Sequence, residues 1–124
     1  MHELSLCANL IEQLEQLAVE AAAAKVGRIE LKIGVLSGVE PQLMAAAFGM
    51  AQVGTIAENA ALFIEVTQPV IHCHDCDHEG EVSPQNLLCP HCGSESTELV
   101  AGHELILARV ELLGSWPDAR VNPL

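Results

Sequence analysis

Aromatic side chains and positive charge are what this chain has least of. Phe48, Phe63 and Trp116 are its only aromatics, and tyrosine is absent. A core without rings must be filled by Leu, Ile, Val and Ala. Half of the 124 residues are hydrophobic, which suffices for one compact domain with a small appendage. The bases are Lys25, Arg28, Lys32, Arg109 and Arg120, set against 17 acids for a net charge of −12. Nothing from Ile33 to Ala108 is positive, so that stretch cannot displace counterions from a phosphate backbone. A nucleic-acid partner is not expected; the acidity suits solubility, a basic protein partner or cations.

Long hydrophobic runs are also missing. Residues 41–57 carry no charge, but Gln42, Gln52, Thr55 and the glycines Gly49 and Gly54 interrupt them. They are too short and broken to span a bilayer and read as a buried helix, so no membrane association is expected. The start has Glu3 where a secretory leader would be basic. The cytoplasm is therefore the expected compartment, where paired cysteines more often hold metal than form disulfides. Catalytic machinery is lacking too. There is no phosphate-binding Gly–Lys loop, and "GVLSG" does not have G-x-S-x-G spacing, so no catalytic residue is assigned and the chain is not read as an enzyme.

What is present has clear periods. Leu4, Cys7, Ile11, Leu14, Ala18 and Ala21 form a helical stripe from Leu4 to about Ala24, widened by Leu10 and Leu17 and stopped by Gly27. "RIELKIGVL" alternates as a half-buried strand, with Ile29, Leu31 and Ile33 on one face. Pro41 starts a second helix to about Val53, with Leu43, Ala47, Phe48 and Ala51 suited to packing on a sheet. "ALFIEVTQPVIH" is a strand region interrupted by Pro69, and "ELILARVELL" (104–113) is another. These two flank the cysteines and are expected to pair antiparallel. The expected fold is α+β: two helices packed on a small three-stranded sheet, with an inserted zinc-ribbon-like module. The expected domains are 1–69 plus 103–114, an inserted module at 70–102, and a loose tail at 115–124.

The module reads "CHDCDHEGEVSPQNLLCPHC". Cys73-x2-Cys76 and Cys89-x2-Cys92 are two knuckles, each able to bring two thiolates to one ion, with Pro90 and Gly93 apt for a tight turn. Four soft thiolates favour zinc over a rubredoxin-like iron, and they leave no open position, so the zinc would be structural. A segment this small gains its folding energy from the metal. His72, His74, His78 and His91 crowd the site. For each alone, an exposed loop residue is the plainer reading; together they make the module sensitive to pH near neutrality. Cys7 lies on the helix stripe as a small core residue.

The chain starts "MHELSLC". The Met1 amine, the His2 amide nitrogen and the His2 imidazole can chelate one ion in fused rings, with the Glu3 amide or carboxylate completing the set. Such nitrogen donors favour nickel(II) or copper(II). On these residues alone, an incidental surface histidine is the simpler account.

"MHELSLC", "LKIGVLSGVEP" and "CxxC…CPxC" together resemble the HypA/HybF family of nickel metallochaperones in [NiFe]-hydrogenase maturation. The resemblance reaches to about Leu113. It implies nickel at His2 with Glu3 and neighbouring backbone nitrogens, and structural zinc on Cys73, Cys76, Cys89 and Cys92. It implies a nickel-binding α/β domain interrupted by the zinc module. It also implies two partners, a HypB-type GTPase and the hydrogenase large-subunit precursor, for a monomer or homodimer. Some relatives place a histidine shortly after each cysteine pair. Here His78 fits the first place, while Gly93 follows Cys92 and His91 lies inside the knuckle. The alternative is a zinc-ribbon interaction or nucleic-acid-binding module without nickel transfer, but 70–102 carry neither bases nor aromatics.

Overall fold

The computed structural model describes residues 2–114; Met1 and the expected tail at 115–124 lie outside them. The elements run α1 (His2–Glu20), β1 (Lys25–Gly34), α2 (Pro41–Ala51), β2 (Ala61–Thr67), β3 (Val70–Cys73), β4 (Glu79–Glu81), β5 (Thr97–Ala101) and β6 (Leu105–Leu113). The fold is α+β, with two three-stranded sheets ordered β2-β1-β6 and β4-β3-β5.

The described residues fall into two compact units, one of 2–31, 40–63 and 107–114, the other of 32–39 and 64–106. In the first unit α1 packs against α2. The buried row of α1 is Glu3, Cys7, Leu10, Ile11, Leu14 and Ala18. The expected helix thus begins two residues earlier, and Leu4 gives its place in the row to Glu3. α1 also stops sooner than Gly27. The Ala23 N–H reaches the Ala18 carbonyl and the Ala22 N–H that of Val19, with Ala22 at φ 53°. That is a Schellman ending, made here with alanine where glycine is usual. Gly27 lies in β1 instead, where a Cβ would come 2.5 Å from Leu113 Cδ1.

On α2 the buried residues are Met44, Ala47 and Phe48. Leu43, expected to pack on the sheet, is 52 % exposed. It falls beside the 44/47/48/51 row, and one 100° step carries its side chain out of the core. Glu40 caps α2: its Oε1 accepts the Gln42 N–H at 3.4 Å, and Pro41 follows in the first turn.

The expected antiparallel pairing of the strands flanking the cysteines is not found. β2 and β6 both flank β1. β6 runs antiparallel to β1, with the Ala24 N–H on the Leu113 carbonyl at one end and the Gly34 N–H on the Glu104 carbonyl at the other. Pro69 ends β2, because it has no N–H for a ladder. The chain then enters β3, which pairs antiparallel with β4 and β5: Ile71 opposes Gly80 on one side and Leu99 on the other. The strands that bracket the cysteines are therefore the short β3 and β5. Ile71, Pro69 and Cys73 are fully buried in this unit.

Candidate metal centre

The two knuckles are copies of one local structure. In the first, the Cys73 N–H donates to the His78 carbonyl at 2.8 Å and the Asp77 N–H to the Cys73 carbonyl at 2.9 Å. In the second, the Cys89 N–H donates to the Ser94 carbonyl at 2.9 Å and the Gly93 N–H to the Cys89 carbonyl at 2.8 Å. The residue four after each leading cysteine is left-handed, Asp77 at φ 61° and Gly93 at φ 78°. Asp75 accepts a short hydrogen bond from the Ser94 hydroxyl, linking one knuckle to the other. The His78 and His91 rings stack across the pair with centroids 5.3 Å apart.

These turns aim four sulfurs at one point. Cys73 Sγ and Cys92 Sγ are 3.6 Å apart, as are Cys76 Sγ and Cys89 Sγ. All four sulfurs lie within 4.8 Å of one another. Tetrahedral zinc with Zn–S near 2.3 Å requires thiolates roughly 3.8 Å apart. A disulfide requires about 2.05 Å, so these cysteines are free. The donor set therefore fits zinc held by Cys73, Cys76, Cys89 and Cys92, with no position left for substrate or water.

The electrostatics suit a cation. Burial raises the Cys89 thiol. Backbone N–H groups of Cys92 and His91 and the thiols of Cys76 and Cys92 outweigh that and bring it down to about 6. At Cys76 the His78 N–H works downward, but burial and hydrogen bonds with the other three thiols push it up to about 12. One sulfur is thus ready as thiolate near neutral pH. A bound metal would expel the remaining protons.

Among the described residues, the group able to hold an ion comprises these four sulfurs and no histidine nitrogen. His72 instead stands between Asp77 (Nε2–Oδ1 3.4 Å) and Glu79 (Nδ1–Oε1 3.5 Å), and His74 faces Glu98 at 3.4 Å. Cys7 is remote from the cluster in sequence. It is buried in the first unit, its thiol donating to the Met44 carbonyl at 3.6 Å.

At the other end of the chain, His2 is exposed on the first turn of α1. Glu3 beside it is only 8 % exposed, and its Oε2 accepts the Glu40 N–H at 3.2 Å. That bond, with the Glu3 backbone N–H, holds the carboxyl below its ordinary 4.5. The Glu3 carboxylate is thus engaged with α2, while the His2 imidazole faces solvent. Reading the sequence missed Glu40 as the anchor of Glu3 and Asp77 as a turn former. The second had a signal: aligning the two CxxC pairs puts Asp77 where the other has Gly93.

A family model described as "Hydrogenase/urease nickel incorporation, metallochaperone, hypA" matches residues 1–112. The chain belongs to the HypA family. The hydrogenase maturation factor HypA of Aquifex aeolicus is 42 % identical over 112 residues, covering 90 % of this chain and 97 % of that one. The HypA of Nitrosospira multiformis is 43 % identical over 113 residues, with 91 % and 98 % covered. The solution structure of the Ni metallochaperone HypA from Helicobacter pylori superimposes with TM-score 0.69 at 26 % identity, covering 90 % of this chain and 97 % of the other. A second HypA solution structure gives 0.72 at 29 % identity. The HypA family comprises nickel metallochaperones of hydrogenase maturation. None of the described helices is long and apolar enough to cross a membrane.

Proposed function

We propose that this HypA-family protein carries nickel(II) at its N-terminus and delivers it to the hydrogenase large-subunit precursor in the cytoplasm, without catalysing a reaction. His2 is the central ligand, with backbone nitrogens of the first residues; the Glu3 carboxylate serves mainly to hold that turn in place. Zinc on Cys73, Cys76, Cys89 and Cys92 is structural and folds the module at 70–102. A HypB-type GTPase supplies the nucleotide chemistry that this chain has no loop for. Release follows when a partner displaces the few side-chain ligands and takes the ion across a shared interface.

The observation that carries this reading is the contrast between the chain's two candidate sites. Four convergent sulfurs close their coordination sphere, whereas His2 is exposed on a turn whose acidic neighbour is otherwise engaged. A carrier needs its cargo on the second kind of site. The test is calorimetric titration of nickel into zinc-loaded protein with its native Met1, beside His2→Ala. One nickel bound by the parent and lost in the variant is expected. Equal binding by both would move nickel away from His2 and overturn the assignment.

A further inference from the structure

The first unit has a cleft at the point where the chain leaves the described residues. The start of β1, the loop from α2 to β2 and the end of β6 form it, with a volume of about 310 Å³. That is the lower end of the range for ligand pockets and suits a single ring system. The backbone fixes its walls: the Val26 N–H donates to the Ile56 carbonyl at 3.0 Å, and the Ala24 N–H to the Leu113 carbonyl at 2.9 Å. Val26, Ile56 and Leu113 supply the apolar lining. Among the lining residues Lys25 is the one base and Glu58 the one acid, and both are exposed.

Leu113 is both a wall of this cleft and the last residue of β6. One residue later the described part ends, and the sequence continues Ser115-Trp116-Pro117-Asp118-Ala119-Arg120. The family match stops at residue 112, before this segment begins. Trp116 is the chain's only tryptophan. It stands three residues from Leu113, within roughly 10 Å of backbone reach. A residue before proline is biased to extended backbone, so Pro117 predisposes Trp116 to it. In an extended segment Trp116, Asp118 and Arg120 share one face. That face carries one large apolar group, one acid and one base, which complements the cleft in kind and in number.

We propose that residues 115–120 fold back on their own chain, with the Trp116 indole filling the cleft, Asp118 paired with Lys25 and Arg120 paired with Glu58. Composition alone reads this segment as a loose tail; the cleft is a seat that composition does not reveal. A short tether makes the contact intramolecular and raises its effective concentration, so weak surface pairs suffice to hold it. The seat does not depend on the nickel reading.

The test uses zinc-loaded, nickel-free full chain and reads its own fluorescence, since tyrosine is absent and Trp116 stands alone. Acrylamide should quench Trp116 several-fold less efficiently in the protein than in a peptide of residues 114–124. Lys25→Glu and Glu58→Lys should each shift docking about threefold to tenfold toward the free tail, because each turns an attraction into a repulsion. Lys25→Glu combined with Asp118→Lys should restore protection to within about twofold of the parent. Lys25 and Glu58 are exposed, so neither change endangers the fold, and misfolding could not account for the rescue. Glu12→Lys, at an exposed position on α1 and with the same change of net charge as Glu58→Lys, should leave quenching within about twofold. Peptide-like quenching of Trp116 in the parent would overturn the proposal, as would protection that survives both Lys25→Glu and Glu58→Lys. Protection that fades on dilution would also overturn it, by placing the tail on a second copy. Nickel is absent throughout, so failure here is separate from failure at His2.

Discussion

Glu3 and Glu40 are related as Cys7 and Met44 are, 37 residues apart and in contact across α1 and α2. The Glu3 carboxylate accepts the Glu40 N–H; one turn further along both helices, the Cys7 thiol donates to the Met44 carbonyl. The constant offset means the two helices start side by side and advance in the same direction. Two positive helix ends therefore share one buried carboxylate. The first turn of the chain, usually a frayed end, is pinned at the residue next to His2.

Replacing Glu3 with Gln keeps the shape and removes the charge. The parent carboxyl titrates below its ordinary 4.5, so its contribution is complete above that pH and is lost as pH falls through the lower folded value. Between neutrality and pH 5 the Gln variant should melt below the parent. In stronger acid the two melting curves should converge. Thermal unfolding against pH measures this; a constant gap down to pH 2 would contradict the shared-carboxylate account.

Ala22→Gly should stabilise the protein. The Schellman ending of α1 puts Ala22 at φ 53°, a conformation that costs an L-residue about 1 kcal/mol and glycine nothing. A gain of about 1 kcal/mol, seen as a rise of a few degrees in Tm, is expected by differential scanning calorimetry. Loss of stability would mean that the backbone relaxes at this position.

Much of the architecture could be read from the residues. The CxxC spacing names all four sulfurs, and Pro69 marks the break between β2 and β3 because a missing N–H is a local fact. The phase of the α1 row runs back from Cys7 by one turn to position 3, but an acidic side chain carries no sign of burial in an apolar pattern. Strand pairing was not legible. β2, β1 and β6 all alternate in a similar way, and alternation fixes which face is buried, not which strand lies in the middle. β4 and β5 were missed because three and five residues are too few for a period to emerge from composition. Leu43 was misplaced by one step around the helix, which turned an exposed face into a core one.

The two knuckles invite a reciprocal exchange. Asp77 and Gly93 hold equivalent left-handed positions, at φ 61° and 78°. Asp77→Gly should strengthen zinc retention by up to about 1 kcal/mol, and Gly93→Ala should weaken it by a similar amount. The Asp77–His72 pair that the first substitution removes is mostly exposed and contributes little. Competition with a chromophoric chelator measures both. Equal retention by the two variants would mean the turns are not strained.

Zinc removal should separate the two halves of the chain by chemistry. Cys73, Cys76, Cys89 and Cys92 converge on one point, and in a module with so few buried side chains the metal supplies the folding energy. Cys7 is protected differently. It is fully buried against Met44, and burial, helped by the nearby Glu3 carboxylate, pushes its thiol up from its ordinary value, so little thiolate forms. With zinc bound, iodoacetamide near neutral pH should modify the protein slowly at every position. With a strong chelator present, mass spectrometry should show four rapid additions, mapping to the module. The fifth, at Cys7, should wait for denaturant, because α1 and α2 pack without the metal. Five additions under chelation alone would show that the helical unit unfolds with the module. Fewer than four would show that the thiol cluster keeps its structure without zinc.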